Sequence, residues 1–443
     1  MNILVLDVYP TTSHRISKDQ NGGYGTANNY GNSIFGKFLN LLVSRSIDFP
    51  PLFCVQVIGE LRKKNHNVTY LRKIPKNLNE FELVLITSSI VSCETDIRAI
   101  KDIKEKFKIQ IIAVGPFASS NPEQYVKAGA KVIKGEPEMY FHDFSKNISD
   151  LENEEPIIEC RKQIPLDELA LPGWDIIFDY KVPTMKFLGS GPAVNINASR
   201  GCPYSCFYYC TYPLQQGRKL RLKSSERLIQ EINHLNKTLK VKNFIFRDPV
   251  FSLDKNHAIE VCKAIIENNL KINICIETHL KNIDDELATF FKQAGVKLIY
   301  VGIESSDADV RKNAKRQSEE NDKQIEKINY LEKLGIKVKA MYILGLPSDT
   351  AQTFKNTVSY AKKLNSSYAQ FSVFTPYPGT PAYQDYKDKI NVANFEDFTQ
   401  WKLAFEHDNF TKEEVDELLI NAYKNYYLRF NWILKRFINL FKF

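Results

Sequence analysis

The stretch Ala193-Val194-Asn195-Ile196-Asn197-Ala198-Ser199-Arg200-Gly201-Cys202-Pro203-Tyr204-Ser205-Cys206-Phe207-Tyr208-Tyr209-Cys210 decides the reading of this chain. Its first six residues are an apolar, β-prone run, and three cysteines follow within nine residues, which places a thiolate cluster on a loop leaving a strand. The remaining cysteines, Cys54, Cys93, Cys160, Cys262 and Cys275, are scattered. Such a concentration suits soft-metal chemistry better than a disulfide framework. Four thiolates normally hold a [4Fe–4S] cluster; three would leave one iron open to an outside ligand, and an open iron points to catalysis. A partial zinc site is the competing assignment. Zinc motifs bring cysteines in close pairs with a second pair downstream, and no histidine lies between His142 and His234 to complete a set.

Downstream of this loop the pattern repeats as strand and helix. Strands are expected near Val194–Ala198, Asn243–Phe246, Ile272–Ile276, Leu298–Ile303, Val338–Leu344 and Ala369–Phe374, with helical patterns between them. Six strands, not eight, predict an incomplete βα barrel over 191–381, whose sites collect at the carboxyl ends of the strands, where the cysteine loop lies.

Upstream, residues 1–150 alternate short apolar runs with helical patterns, the signature of a parallel α/β sheet. Strands Asn2–Val8, Asn67–Leu71, Leu83–Thr87, Ile109–Val114 and Lys131–Lys134 predict a flavodoxin-like, Rossmann-like domain with its ligand outside the carboxyl ends. Those ends carry Ser88 and Ser89, Gly115-Pro116 and Gly135-Glu136. Small residues there let a bulky planar ligand approach the backbone, although ordinary turn chemistry gives the same residues. The connection from Tyr9 to Pro50 is long and glycine-rich, as functional loops are, and is expected to fold over a ligand. Residues 151–190, acidic and then proline-rich, read as a linker, and 382–443 as a C-terminal helical region.

Composition narrows the class. With 443 residues, 43% hydrophobic and 25% charged, the chain is long enough for two or three globular domains and contains no bilayer-spanning run. The start Met1-Asn2-Ile3-Leu4-Val5-Leu6-Asp7 enters a buried strand pattern directly, unlike a secretory signal, so a cytoplasmic, reducing location is expected. A net charge of +8 from 60 basic and 52 acidic side chains, without a basic block on a recognisable module, argues against nucleic acid as a partner.

The cysteine segment resembles the cluster loop of the radical S-adenosylmethionine enzymes. In that family the three cysteines hold a [4Fe–4S] cluster, and the amino and carboxylate groups of S-adenosylmethionine fill the fourth position. The family spacing is Cys-x3-Cys-x2-Cys; here it is Cys-x3-Cys-x3-Cys, with matching flanks Ser-Arg-Gly-Cys-Pro-Tyr-Ser-Cys and Cys-Thr-Tyr-Pro. The resemblance implies Cys202, Cys206 and Cys210 as cluster ligands. It also implies Asp248 and Glu277 at strand ends and Glu304 in Gly302-Ile303-Glu304-Ser305-Ser306 as residues orienting S-adenosylmethionine. Gly345 of Tyr342-Ile343-Leu344-Gly345-Leu346-Pro347 would lie along the adenine. The N-terminal domain is similar to the cobalamin-binding domain of one class of these enzymes, through Pro50-Pro51-Leu52 and Ala113-Val114-Gly115-Pro116, which makes Ser88, Ser89, Gly115 and Gly135 cobalamin-contact candidates. The Asp-x-His-x-x-Gly signature of other cobalamin domains is absent.

For this class, reductive cleavage of S-adenosylmethionine gives a 5′-deoxyadenosyl radical that takes hydrogen from an unreactive carbon, while the protein positions and shields the cofactors. The implied activity is C-methylation of a secondary-metabolite or lipid-like small molecule, with an electron donor such as flavodoxin or ferredoxin. Two alternatives stand beside it: an anaerobic oxidative cyclase or rearrangement enzyme, and a cobalamin- or cluster-binding sensor without catalysis. Residues 421–443 carry five basic and no acidic side chains among many aromatics, a composition compatible with peripheral membrane contact. Their similarity to the family's terminal helix favours packing against the barrel.

Overall fold

The computed structural model describes residues 1–12, 15–31, 33–44, 49–144, 148–430 and 432–434. After β1 (Asn2–Leu6), the chain makes an inserted antiparallel hairpin, β2 (Arg15–Ser17) and β3 (Thr26–Asn28), before β4 (Asn67–Leu71), β5 (Leu83–Thr87), β6 (Gln110–Val114), β7 (Lys131–Lys134) and β8 (Ile157–Glu159). All but the hairpin form one parallel sheet in the order β4-β1-β5-β6-β7-β8. Helices cover both faces, so β5 is buried along its whole length and reads as a continuous apolar run rather than an alternating one.

One boundary differs from expectation. The sheet has a sixth strand, because Ile157 and Ile158 pair with Val132 and Ile133 inside the stretch read as a linker. A three-residue strand after a proline is too short to show a period. The rest of that stretch also packs down. The Ala170 amide donates to Glu60 at 2.5 Å, Trp174 is fully buried, and a Cβ on Gly59 would meet the Leu171 carbonyl at 2.2 Å.

The second unit contains β9 (Ala193–Ile196), the short pair β10 (Ser199–Arg200) and β11 (Arg221–Leu222), and then β12 (Asn243–Phe246), β13 (Asn273–Thr278), β14 (Val296–Glu304), β15 (Lys337–Leu344) and β16 (Tyr368–Val373). The parallel row β9-β12-β13-β14-β15-β16 does not close, since β16 and β9 share no hydrogen bonds. Five of the intervening helices start on side-chain caps, Ser224, Asp254, Asp284, Asp307 and Thr350, each satisfying an otherwise orphaned amide.

The open flank is finished from both ends of the chain. On β16, hydroxyls from the helix Lys412–Tyr427 replace a neighbouring strand. Tyr423 Oη donates to the Phe371 carbonyl at 2.7 Å and accepts from its amide at 3.1 Å, and Tyr427 Oη does the same at Ala369, at 2.6 and 3.0 Å. An exposed strand edge is thereby protected. The β2–β3 hairpin fills the gap itself. Thr26 Oγ1 donates to the Thr399 carbonyl at 2.5 Å, Gln400 accepts from Val373 on β16, and on the other side Asn195 of β9 donates to Asp19 at 3.3 Å.

The C-terminal region is less helical than expected. Between Pro381–Tyr386 and Lys412–Tyr427 the chain runs through short turns and an isolated bridge between Ile390 and Phe405. The aromatic side chains Tyr423 and Tyr426 are buried against the barrel, as the packing alternative required, while Leu428, Phe430, Ile433 and Leu434 are exposed. Residues 431 and 435–443 of the membrane-contact segment lie outside the described residues. Among the described residues no helix is long and apolar enough to cross a membrane.

Candidate active site

Beyond β9 and β10 the chain turns into the cysteine loop through Gly201, whose φ of +86° and 2.0 Å approach of a built Cβ to the Lys219 carbonyl admit only glycine. Asp248, at the end of β12, anchors this start. Its carboxylate accepts from the Ala198 amide at 3.1 Å, the Ser199 amide, and Ser199 Oγ at 2.6 Å. It is fully buried and does not line the cavity. Asp248 therefore braces the loop in this structure, its oxygens accepting from Ala198 and Ser199, where it was expected to face S-adenosylmethionine.

The 3₁₀ turn Ser205–Tyr208 then carries the chain from Cys206 to Cys210, and the Cys210 amide donates to the Cys206 carbonyl at 3.0 Å. The additional residue is absorbed in this turn. Cys202, Cys206 and Cys210 all line one cavity of about 210 Å³ at the carboxyl ends of the barrel strands. Burial, and then the Cys206 sulfur, push the Cys210 thiol up; burial also raises Cys202. Among the described residues no three His, Cys, Asp or Glu side chains converge tightly enough for a single metal ion.

Arg316, which has no motif around it in the sequence, is the cation of this trio. Its Nη1 lies 3.8 Å from Cys206 Sγ, its Nη2 donates to the Gly302 carbonyl at 2.8 Å, and its Nε stands 3.6 Å from Glu304. Glu304 lines the cavity in a left-handed conformation, φ +65°, which for a non-glycine residue marks a strained position. Burial raises its carboxyl and Arg316 opposes that. Glu277 also lines the cavity but is already engaged, accepting from Arg247 at 2.8 Å and Tyr212 at 3.0 Å. His279 is held neutral by burial, its group pushed down to about 4. Gly345 lies outside the cavity lining. Its amide donates to Asp349 at 2.9 Å and its φ of +75° turns the chain after β15.

At the edge of the first sheet the small residues are closed upon by the chain itself. The switch point lies between β1 and β5. There Lys18, wholly buried, places Nζ 3.1 Å from Asp7, 3.4 Å from Asp96 and 3.0 Å from the Thr87 carbonyl. Ser88 Oγ accepts from the Ala118 amide at 2.9 Å, and Ser89 bonds Ser92 at 2.9 Å. A Cβ on Gly115 would strike Phe53 at 2.6 Å, and one on Gly135 the Cys160 carbonyl at 2.8 Å. Residues 18–25 fill the remaining space, with Tyr24 Oη donating to the Pro378 carbonyl at 2.7 Å. Residues 18–25 of the long connection lie over this edge. The cavity left beside it, lined by Gly22, Gly23, Phe53 and Glu136, measures about 30 Å³, less than a corrin needs. Beside it, Glu136 after β7 pairs with Arg200 at 3.2 Å and with Arg221, and Glu138 also pairs with Arg200, which ties the sheet edge to β10 and β11.

The Radical SAM superfamily profile matches residues 196–361, the barrel with its cysteine loop. An uncharacterized methyltransferase of Pyrococcus horikoshii is 27% identical over 79% of this chain and 78% of its own. An anaerobic magnesium-protoporphyrin IX monomethyl ester cyclase of Rubrivivax gelatinosus is 25% identical over 52% of this chain, which covers only 42% of that relative. The radical S-adenosylmethionine methyltransferase TsrM of Kitasatospora setae, solved with cobalamin and a [4Fe–4S] cluster bound, superposes with a TM-score of 0.61 at 13% identity, over 87% of this chain and 78% of its own. Residues 196–361 therefore carry a Radical SAM superfamily domain, and the chain shares the fold of TsrM over most of its length.

Proposed function

We propose that this chain is a radical S-adenosylmethionine methyltransferase of the cobalamin-dependent class, acting on an unactivated carbon of a small secondary-metabolite or lipid-like substrate. The observation that carries this reading is the meeting of Cys202, Cys206, Cys210, Glu304 and Arg316 around one barrel-mouth cavity. A [4Fe–4S] cluster on the three thiolates supplies, when bound, the electron that cleaves S-adenosylmethionine. Arg316 offsets thiolate charge at Cys206 and fixes Glu304, whose carboxylate is turned inward for a ligand amine or hydroxyl. The curated methyltransferase relative spans more of the chain than the cyclase relative, and this favours methylation. The same reading places the enzyme in the cytoplasm with a flavodoxin- or ferredoxin-type donor, and leaves peripheral membrane contact to the exposed apolar side chains Leu428, Phe430, Ile433 and Leu434.

The test is anaerobic reconstitution with iron, sulfide and cobalamin, followed by product analysis. Methylation yields S-adenosylhomocysteine alongside 5′-deoxyadenosine; a cyclase yields 5′-deoxyadenosine without it. A bound cluster with no 5′-deoxyadenosine would leave the sensor reading.

A further inference from the structure

The outer face of the cysteine loop is rimmed by positive charge. Pro203 and Ser205 are exposed, while their neighbours in sequence, Cys202 and Cys206, line the cavity, so a single layer of chain separates these thiols from solvent. Four exposed cations surround that layer. Arg218 donates to the Pro203 carbonyl at 2.5 Å and lies 5.6 Å from the centroid of the Phe207 ring. Lys219 follows it, where its carbonyl meets Gly201. The Lys315 carbonyl accepts from Ser205 Oγ at 2.8 Å, and its Nζ sits over the Tyr208 ring, 4.6 Å from the centroid. The Lys281 amide donates to His279 Nδ1 at 3.1 Å, and the His279 ring packs 5.4 Å from that of Tyr204. Asp385 reaches the loop from the helix Pro381–Tyr386 and is engaged at the Tyr208 hydroxyl. Among the described residues the four rim cations form no ion pair, whereas lysines on the adjoining helices do: Lys255 with Asp284 and Glu286, Lys323 with Glu320, and Lys327 with Glu319. A surface patch of one sign steers a partner of the opposite sign toward it.

We propose that this rim is the docking surface of an acidic one-electron carrier protein, a flavodoxin or a ferredoxin. This rests on the reading of the three cysteines as cluster ligands. In each reductive cleavage one electron leaves the carrier, passes through the cluster and breaks a carbon–sulfur bond of S-adenosylmethionine, leaving methionine and the 5′-deoxyadenosyl radical. A protein cannot enter a cavity of about 210 Å³, so the carrier has to come close from outside. The rim is where it can, since Cys202 and Cys206 have the cavity on one side and the exposed Pro203 and Ser205 on the other. Arg218, held against the loop by its hydrogen bond and by the Phe207 ring, is preorganised for a carboxylate of the carrier.

The full chain, reconstituted anaerobically with its cluster, is titrated in a calorimeter with an acidic flavodoxin and with an acidic ferredoxin. At least one carrier should bind at about 0.05 M salt and weaken about tenfold or more at about 0.5 M, and the tighter one assigns a flavin or an iron–sulfur carrier. Lys219→Glu, Lys281→Glu and Lys315→Glu together should weaken that carrier about tenfold or more, and the same three positions changed to Gln should weaken it by less. The control, Lys271→Glu, Lys292→Glu and Lys297→Glu together, makes the same change in net charge at the amino end of the barrel and should stay within about threefold of wild type. Dithionite, which needs no docking, should drive S-adenosylmethionine cleavage at an unchanged rate in the rim variant. If the reversed rim does not fold, the Gln variant decides. Absence of binding by both carriers, or equal weakening by the rim and control reversals, overturns the proposal. Failure of dithionite to yield 5′-deoxyadenosine with wild type would instead count against the proposed function, while the binding titration still reads the rim.

Discussion

Cys206 and Cys210 stand about one helical turn apart, joined by the amide-to-carbonyl bond between them, so both sulfurs reach the cavity because of the intervening residue. Removing Tyr209 should rotate Cys210 by about 100° and carry its sulfur out of the cavity. The expected outcome is loss of most cluster iron and at least a hundredfold loss of S-adenosylmethionine cleavage, checked by iron analysis and 5′-deoxyadenosine formation. A gain on deletion would mean that the spacing is a defect. The three thiols were legible in the sequence because their chemistry is written in local spacing. Arg316 was not, since its loop meets Gly302, Glu304 and Cys206 only in the folded chain. Asp248 was located correctly at a strand end, but a single sequence does not say whether a carboxylate faces a ligand or its own backbone.

Among the elements, the inserted segment carries the largest consequence. Lys18 is buried with Asp7 and Asp96, and burial, against the pull of Lys18, raises the Asp96 carboxyl to about 7. Its unfolded value is near 3.8, so the folded chain holds the additional proton between these limits. The stability this group contributes is fully present below about pH 3.8 and is lost as pH rises through 7. Asp96→Asn should flatten that dependence in urea unfolding at pH 5 and pH 8. Lys18→Met should cost about 3 kcal/mol by stranding Asp7, and should retain more hydroxocobalamin after gel filtration, since the segment is then free to leave the sheet edge. At the opposite flank, Tyr423→Phe leaves the Phe371 amide and carbonyl without their hydroxyl partner, and chemical denaturation should register a loss of about 1–3 kcal/mol. The βα periodicity of both sheets could be read from apolar runs. The edge strand Ile157–Glu159 and the tyrosine-capped flank could not, because neither has a period of its own.

For the molecule as a whole, the cluster of Glu136 and Glu138 with Arg200 and Arg221 joins the first sheet to the cysteine loop. Arg200→Met strands a buried carboxylate and should destabilise by about 3 kcal/mol. Calorimetry should then resolve two transitions where wild type gives one; a single shifted transition would mean that the other contacts suffice to couple the halves. The hairpin residues 15–28 make the same union topological. A wall of the catalytic half is lent by the half that precedes it in the chain, so the two cannot be exchanged among relatives as free-standing cassettes. A lineage that recombined the barrel alone would inherit a chamber with a missing side, and every substitution in Arg15 or Asp19 is answerable to two domains at once.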